Sequence, residues 1–167
     1  MAIADLLLPE FDNETATTRR VLAEVPDDRP DWKPHEKAFT VAHLAQLVSG
    51  IPSWTPMIVE DTEFDLAPPG KPKASPYSNQ TIEKLLADFD KNVIAARAAI
   101  ANTSDEDFEV QWTLKSGGNV IMTMPRYAML RSMMLNHLVH HRAQLGLYLR
   151  MLGCRVPSMY GPSADDK

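Results

Sequence analysis

One cysteine among 167 residues excludes an internal disulfide. Cys154 suits a reducing compartment. Only Arg155 flanks it with positive charge, so it reads as a small apolar residue at a helix end rather than a reactive thiol. No apolar stretch approaches the length of a membrane-spanning helix. The segment Met1-Ala2-Ile3-Ala4-Asp5-Leu6-Leu7-Leu8-Pro9 has no basic leader, and Asp5 interrupts its apolar run. No signal peptide is expected, and the chain is read as cytoplasmic. No basic run occurs, and the formal net charge is −5. That argues against a general binder of nucleic-acid backbones. There is no internal repeat and no low-complexity segment.

What remains is ordinary globular material. Apolar residues make up 44% and charged residues 23%, so disorder is not the default. The length suits a single domain, 1–167, with a core that needs no disulfide.

The patterning is mainly helical. Pro9 to Ala23 reads as a first helix, with Pro9 in its first turn. Phe11, Thr15, Thr18, Leu22 and Val25 trace the inner face, and Glu14 lies close to it. Prolines at 26 and 30 end the helix, and a loop carries Trp32 and His35. Thr40 caps a second helix. Gly50-Ile51-Pro52 interrupts that helix before Trp54 to Val59 resume it. Asp61 to Tyr77, with prolines at 68, 69, 72 and 76, is a long connection. Ser78 or Asn79 caps a third helix, Gln80 to about Ala101, whose apolar face runs from Ile82 and Leu85 to Ile100. A polar link at Asp105 to Asp107 follows. From Phe108 to Met124 the period shifts towards two, and Gly117-Gly118-Asn119 turns the chain, as in a small β-hairpin. Pro125 opens the last helix, which runs uninterrupted to Leu152 and is closed by Gly153. The tail from Arg155 onward lacks periodicity but carries apolar and aromatic residues, so it is expected to pack over the helices. The expected fold class is all-α: a four-helix bundle with a minor β-hairpin before the last helix.

The chemistry lies in the last helix. Its apolar seam reads Leu130, Met134, His137, His141, Leu145, Tyr148 and Leu152, in gaps of three and four. His137 and His141 therefore stand one turn apart on the inward face. Residues i and i+4 have Cβ atoms roughly 5–6 Å apart, so two imidazoles can share one ion. The alternative is a core histidine among surface ones, and spacing alone does not decide between the two. His43 shares an inward stripe with Leu47, Gly50 and Trp54 on the second helix. His140 is rotated about 100° from His141 and should point away.

Taken in order, Thr18-Arg19-Arg20, Trp32-Lys33-Pro34-His35, His43-Leu44, the stretch Asn136-His137 to Gln144, and the tail Val156-Pro157-Ser158-Met159-Tyr160-Gly161-Pro162-Ser163-Ala164-Asp165 resemble the DinB/YfiT-like superfamily over nearly the whole chain. Ala143 departs from the glycine that many members carry after the arginine. The resemblance implies an up-down-down-up four-helix bundle, often a homodimer, with a divalent metal ion held by His43, His137 and His141. Surplus apolar faces at Met129, Met133 and Leu138 would assist dimerisation. Nickel, zinc and iron all accept imidazole. Glu14, Gln46 and Gln144 are candidate hydrogen-bond partners of the ligand rings.

Three imidazoles leave open positions on an ion, as in catalytic sites. Some members of the superfamily are similar to S-transferases that use a low-molecular-weight thiol. The expected function is therefore a divalent-metal-dependent enzyme acting on a small-molecule substrate, either a thiol transferase or a hydrolase, with no nucleic-acid or membrane partner. The alternative is a non-catalytic metal-binding stress-response protein, its site closed by His35 or Glu14. No catalytic acid or base stands out.

Overall fold

The computed structural model describes residues 1–70 and 77–166. The helices are α1 (Ile3–Leu22), α2 (Val41–Gly50), α3 (Trp54–Glu60), α4 (Ile82–Asn102), α5 (Asp105–Glu109), α6 (Arg126–Met129) and α7 (His137–Met151). The strands are β1 (Glu63–Asp65), β2 (Gln111–Ser116) and β3 (Asn119–Pro125). A 3₁₀ turn (Ile51–Ser53) joins α2 to α3, and a π-helical segment (Leu130–Asn136) joins α6 to α7. The protein is thus mostly helical with a small three-stranded sheet, rather than all-α. Helices α1, α2, α4 and α7 pack on one another, with α1 and α2 each touching both α4 and α7.

α1 begins at Ile3, not at Pro9, which lies inside the helix. An internal proline costs about 3 kcal/mol. Burying Leu7 offsets about 2 kcal/mol of that, and Ile3, Ala4 and Leu8 also pack against the core. The expected inner face is in place: Phe11, Thr15, Thr18, Leu22 and Val25 are all buried. Thr40 caps α2 by accepting the His43 N–H at 3.2 Å. Thr81, two residues beyond Asn79, caps α4 by accepting the Lys84 N–H at 3.3 Å, and the Ser78 N–H donates to Gln46 Oε1 at 3.1 Å. Of the Asp61–Tyr77 connection, residues 71–76, including Pro72 and Pro76, lie outside the described residues.

The polar link at 105–107 is the first turn of α5. Ser104 caps it at 3.0 Å, three acidic residues favour its N-terminal dipole, and Phe108 anchors it in the core. The hairpin forms as expected: β2 pairs antiparallel with β3, and Trp112 and Leu114 point inward. Gly117 and Gly118 have φ of 61° and 80°, the backbone of a tight hairpin turn that L side chains disfavour. The unexpected element is β1, parallel to β2. Three residues are too few to show a period. Its place is secured by Asp65, whose carboxylate accepts the Gly117 and Gly118 N–H groups at 2.9 and 2.7 Å.

Pro125 ends β3 and caps α6 rather than opening the helix. The last helical run follows its predicted seam, but residues 130–136 take the wider π geometry. Gly153 closes α7 with φ of 75°. The tail packs as expected: Met159 and Val156 lie over Gly146, where an added Cβ would come within 2.7 Å of Met159 Cε. Met129 and Leu138 are fully buried within the chain and Met133 is partly buried. They are not surplus faces, because α6, the π segment and the first turn of α7 already turn them towards the core. Among the described residues, no helix is long and apolar enough to cross a membrane.

Candidate metal centre

His137 is the first residue of α7, immediately after the π segment. Such segments recur at functional sites because they re-aim the side chains beyond them. One turn on, His141 faces it, and the two Nε2 atoms are 2.7 Å apart. Gln144, one of the candidate partners, sets the tautomer. Its Oε1 accepts the His141 Nδ1–H at 2.8 Å, and its Nε2 donates to His140 Nε2 at 3.1 Å. His141 Nε2 is then the lone-pair nitrogen and points at His137. His140 is exposed, as expected, but its ring still lies 4.9 Å from that of His141 and shares Gln144 with it.

Burial lowers the pKa of both rings. For His137 the neighbouring His141 and His140 add to the effect. For His141 the Gln144 bond opposes it and His140 reinforces it. Both imidazoles are thus biased towards the neutral, ligating form. Trp54 meets His137 edge-on at 5.3 Å.

His43 sits on α2, the helix packed against α7. Its ring is stacked between Phe39 (4.2 Å) and Tyr77 (3.7 Å), and Phe39 is also 6.3 Å from His141. Burial lowers its pKa too. The structure therefore brings His137 and His141 together and holds His43 across Phe39 from them. Among the described residues, no three His, Cys, Asp or Glu side chains converge as a ready ligand set. The donor chemistry nonetheless fits a divalent ion. The aligned pair presents two neutral nitrogens, and His43 is a third imidazole whose ring, among the described residues, is met by aromatic rings rather than by a hydrogen-bond partner.

The other candidates are committed elsewhere. Glu14 binds Arg142 and Tyr160. Gln46 holds Ser78. His35 is exposed and its Nδ1 accepts the Lys37 N–H at 3.2 Å. Cys154 is half-buried just past α7. Sequence reasoning did not find the aromatic wall of Phe39 and Tyr77. Phe39 directly precedes a helix cap, a weak signal, and Tyr77 had none.

The fold is that of a mostly helical protein with a small three-stranded sheet. The DinB family model matches residues 1–167, and the chain belongs to the DinB family. Its fold is similar to that of a DinB-like protein from Bacillus cereus, with a TM-score of 0.67, 22% identity, and coverage of 92% of this chain and 95% of that one. No curated protein matches it.

Proposed function

We propose that the protein is a divalent-metal-dependent enzyme in which His137 and His141, joined by His43 from α2, hold nickel, zinc or iron. The observation that carries this is the facing Nε2 pair, 2.7 Å apart, with His141 locked by Gln144. Buried polar rings need partners, and here each ring's best-placed neighbour is another ring. When bound, the ion supplies Lewis acidity and activates a water or thiol. The chain's own residues orient the ligands and exclude solvent: Gln144 fixes one tautomer, and Trp54 and Phe39 wall the centre. His43 joins the set on leaving its stack with Phe39 and Tyr77.

The reaction belongs to small-molecule transfer onto a low-molecular-weight thiol or to hydrolysis. The reading carries with it the up-down-down-up four-helix bundle and a homodimer, which sedimentation tests. Elemental analysis of untagged protein tests the centre. Stoichiometric nickel, zinc or iron, lost in His43→Ala and His141→Ala, supports it. No metal as purified, and none taken up on incubation, overturns it. The alternative is a non-catalytic metal-binding protein whose site is closed by a further protein ligand, and a cobalt-substituted sample separates the two. A spectrum altered by azide or small thiols means open positions, and an unresponsive one means a closed site.

A further inference from the structure

Beside His43 lies a cleft of about 380 Å³, lined by Asp31, Thr40, His43, Tyr77, Ser78 and Asn79. Asp31 is the one charged side chain in that lining among the described residues. It is exposed, and the ion pairs of the described residues do not include it. Tyr77 is 49% exposed, and one face of its ring lies against His43. A carboxylate sharing a cleft with a half-open aromatic ring attracts cations twice, through its charge and through the ring quadrupole. The remaining described lining is uncharged and hydrogen-bonding.

We propose that this cleft binds an arylalkylamine, its ammonium group at Asp31 and its ring against Tyr77. This rests on the reading of the histidines as the reactive centre, because the amine is then the handle that holds a substrate beside His43. The carboxylates of a thiol such as glutathione meet a like charge at Asp31 and only its single ammonium is complementary, so the cleft better suits an amine that carries no carboxylate.

Calorimetric titration of the full chain with benzylamine, benzyl alcohol, benzoate and cyclohexylmethylamine tests this, with metal-loaded and metal-free protein run in parallel. Benzylamine is expected to bind tightest in both forms, with benzoate the weakest. Asp31→Asn should weaken benzylamine about fivefold, the scale of one exposed ionic or cation–π contact, and leave benzyl alcohol unchanged. Tyr77→Leu, its fold checked by circular dichroism, should weaken both aryl ligands. Absent benzylamine binding, equal binding of benzoate, or an unaffected Asp31→Asn overturns the proposal. Metal content is read separately. Metal present without amine binding sinks the cleft alone, whereas amine binding by a chain that takes up no metal sinks the metalloenzyme reading and leaves the cleft standing.

Discussion

Arg142 Nη2 lies 2.6 Å from Glu14 Oε2, with only 1% and 7% of the two side chains exposed. The pair ties α7 to α1 directly behind His141. Arg142 Nη1 also donates to the Glu14 carbonyl (3.0 Å) and to Thr18 Oγ1 (3.2 Å). The tail completes the cluster: Tyr160 OH accepts from Arg142 at 2.7 Å and donates to Glu14 at 2.8 Å. Removing one partner of a buried pair strands the other charge, a loss of about 3–5 kcal/mol. Glu14→Ala is expected to destabilise the protein on that scale in urea unfolding. A loss below about 1 kcal/mol would show that the pair is solvated.

Tyr160→Phe keeps the ring and removes only the hydroxyl. Its loss should be smaller, about 1.5–3 kcal/mol for a hydrogen bond to charged groups. Because the two changes share a partner, the double variant should fall short of their sum. Strict additivity in a double-mutant cycle would argue that the tail and the pair are independent.

Gln144→Ala leaves both ligand rings in place but frees the His141 tautomer. Loss of such a partner typically weakens metal binding 10–100-fold. Competition of the loaded protein against a chelator measures this. Unchanged affinity would mean that Gln144 does not orient a ligand.

The histidines make the metal-free protein sensitive to acid. Burial holds the folded-state pKa values of His43, His137 and His141 below the ordinary 6.5. The unfolded chain therefore binds protons first as pH falls. Their stabilising contribution is intact above pH 6.5 and is lost as pH drops from there through the folded values. Urea midpoints at pH 7.5, 6.5 and 5.5 should decline, and the decline should flatten in the His137→Ala, His141→Ala double variant. A pH-independent midpoint contradicts the burial of these rings.

The tail responds at lower pH. Arg150 and the Val156 N–H hold the Asp165 carboxyl below its usual value, and Ser158 and the Ser163 N–H do so for Asp166. Depressed carboxylates stabilise above the unfolded pKa, near 3.8, and lose that contribution as pH falls through the folded values. Amide protection factors at 156–166, corrected for the intrinsic exchange rate at each pH, should fall below pH 4 while α7 stays protected. Simultaneous loss of both would mean that the tail is not a separate unit.

The order of the chain determined the helices, the hairpin and the His137/His141 pairing, because periodicities of 3.6 and 2 and an i,i+4 spacing are local properties. It marked Gln144 through proximity on the same helix turn. Tertiary structure alone decided the rest. α1 extends through Pro9 because packing of Leu7 together with Ile3, Ala4 and Leu8 offsets the local penalty. β1 exists only because β2 offers an edge and Asp65 reaches the Gly117-Gly118 turn. Glu14 belongs to Arg142, 128 residues away, and not to a histidine. His43 shares the seam logic of the other two. Phe39 is its i,i+4 neighbour, but its stacking on Tyr77 depends on how α2 and a distant loop meet in space, which no spacing along the chain encodes.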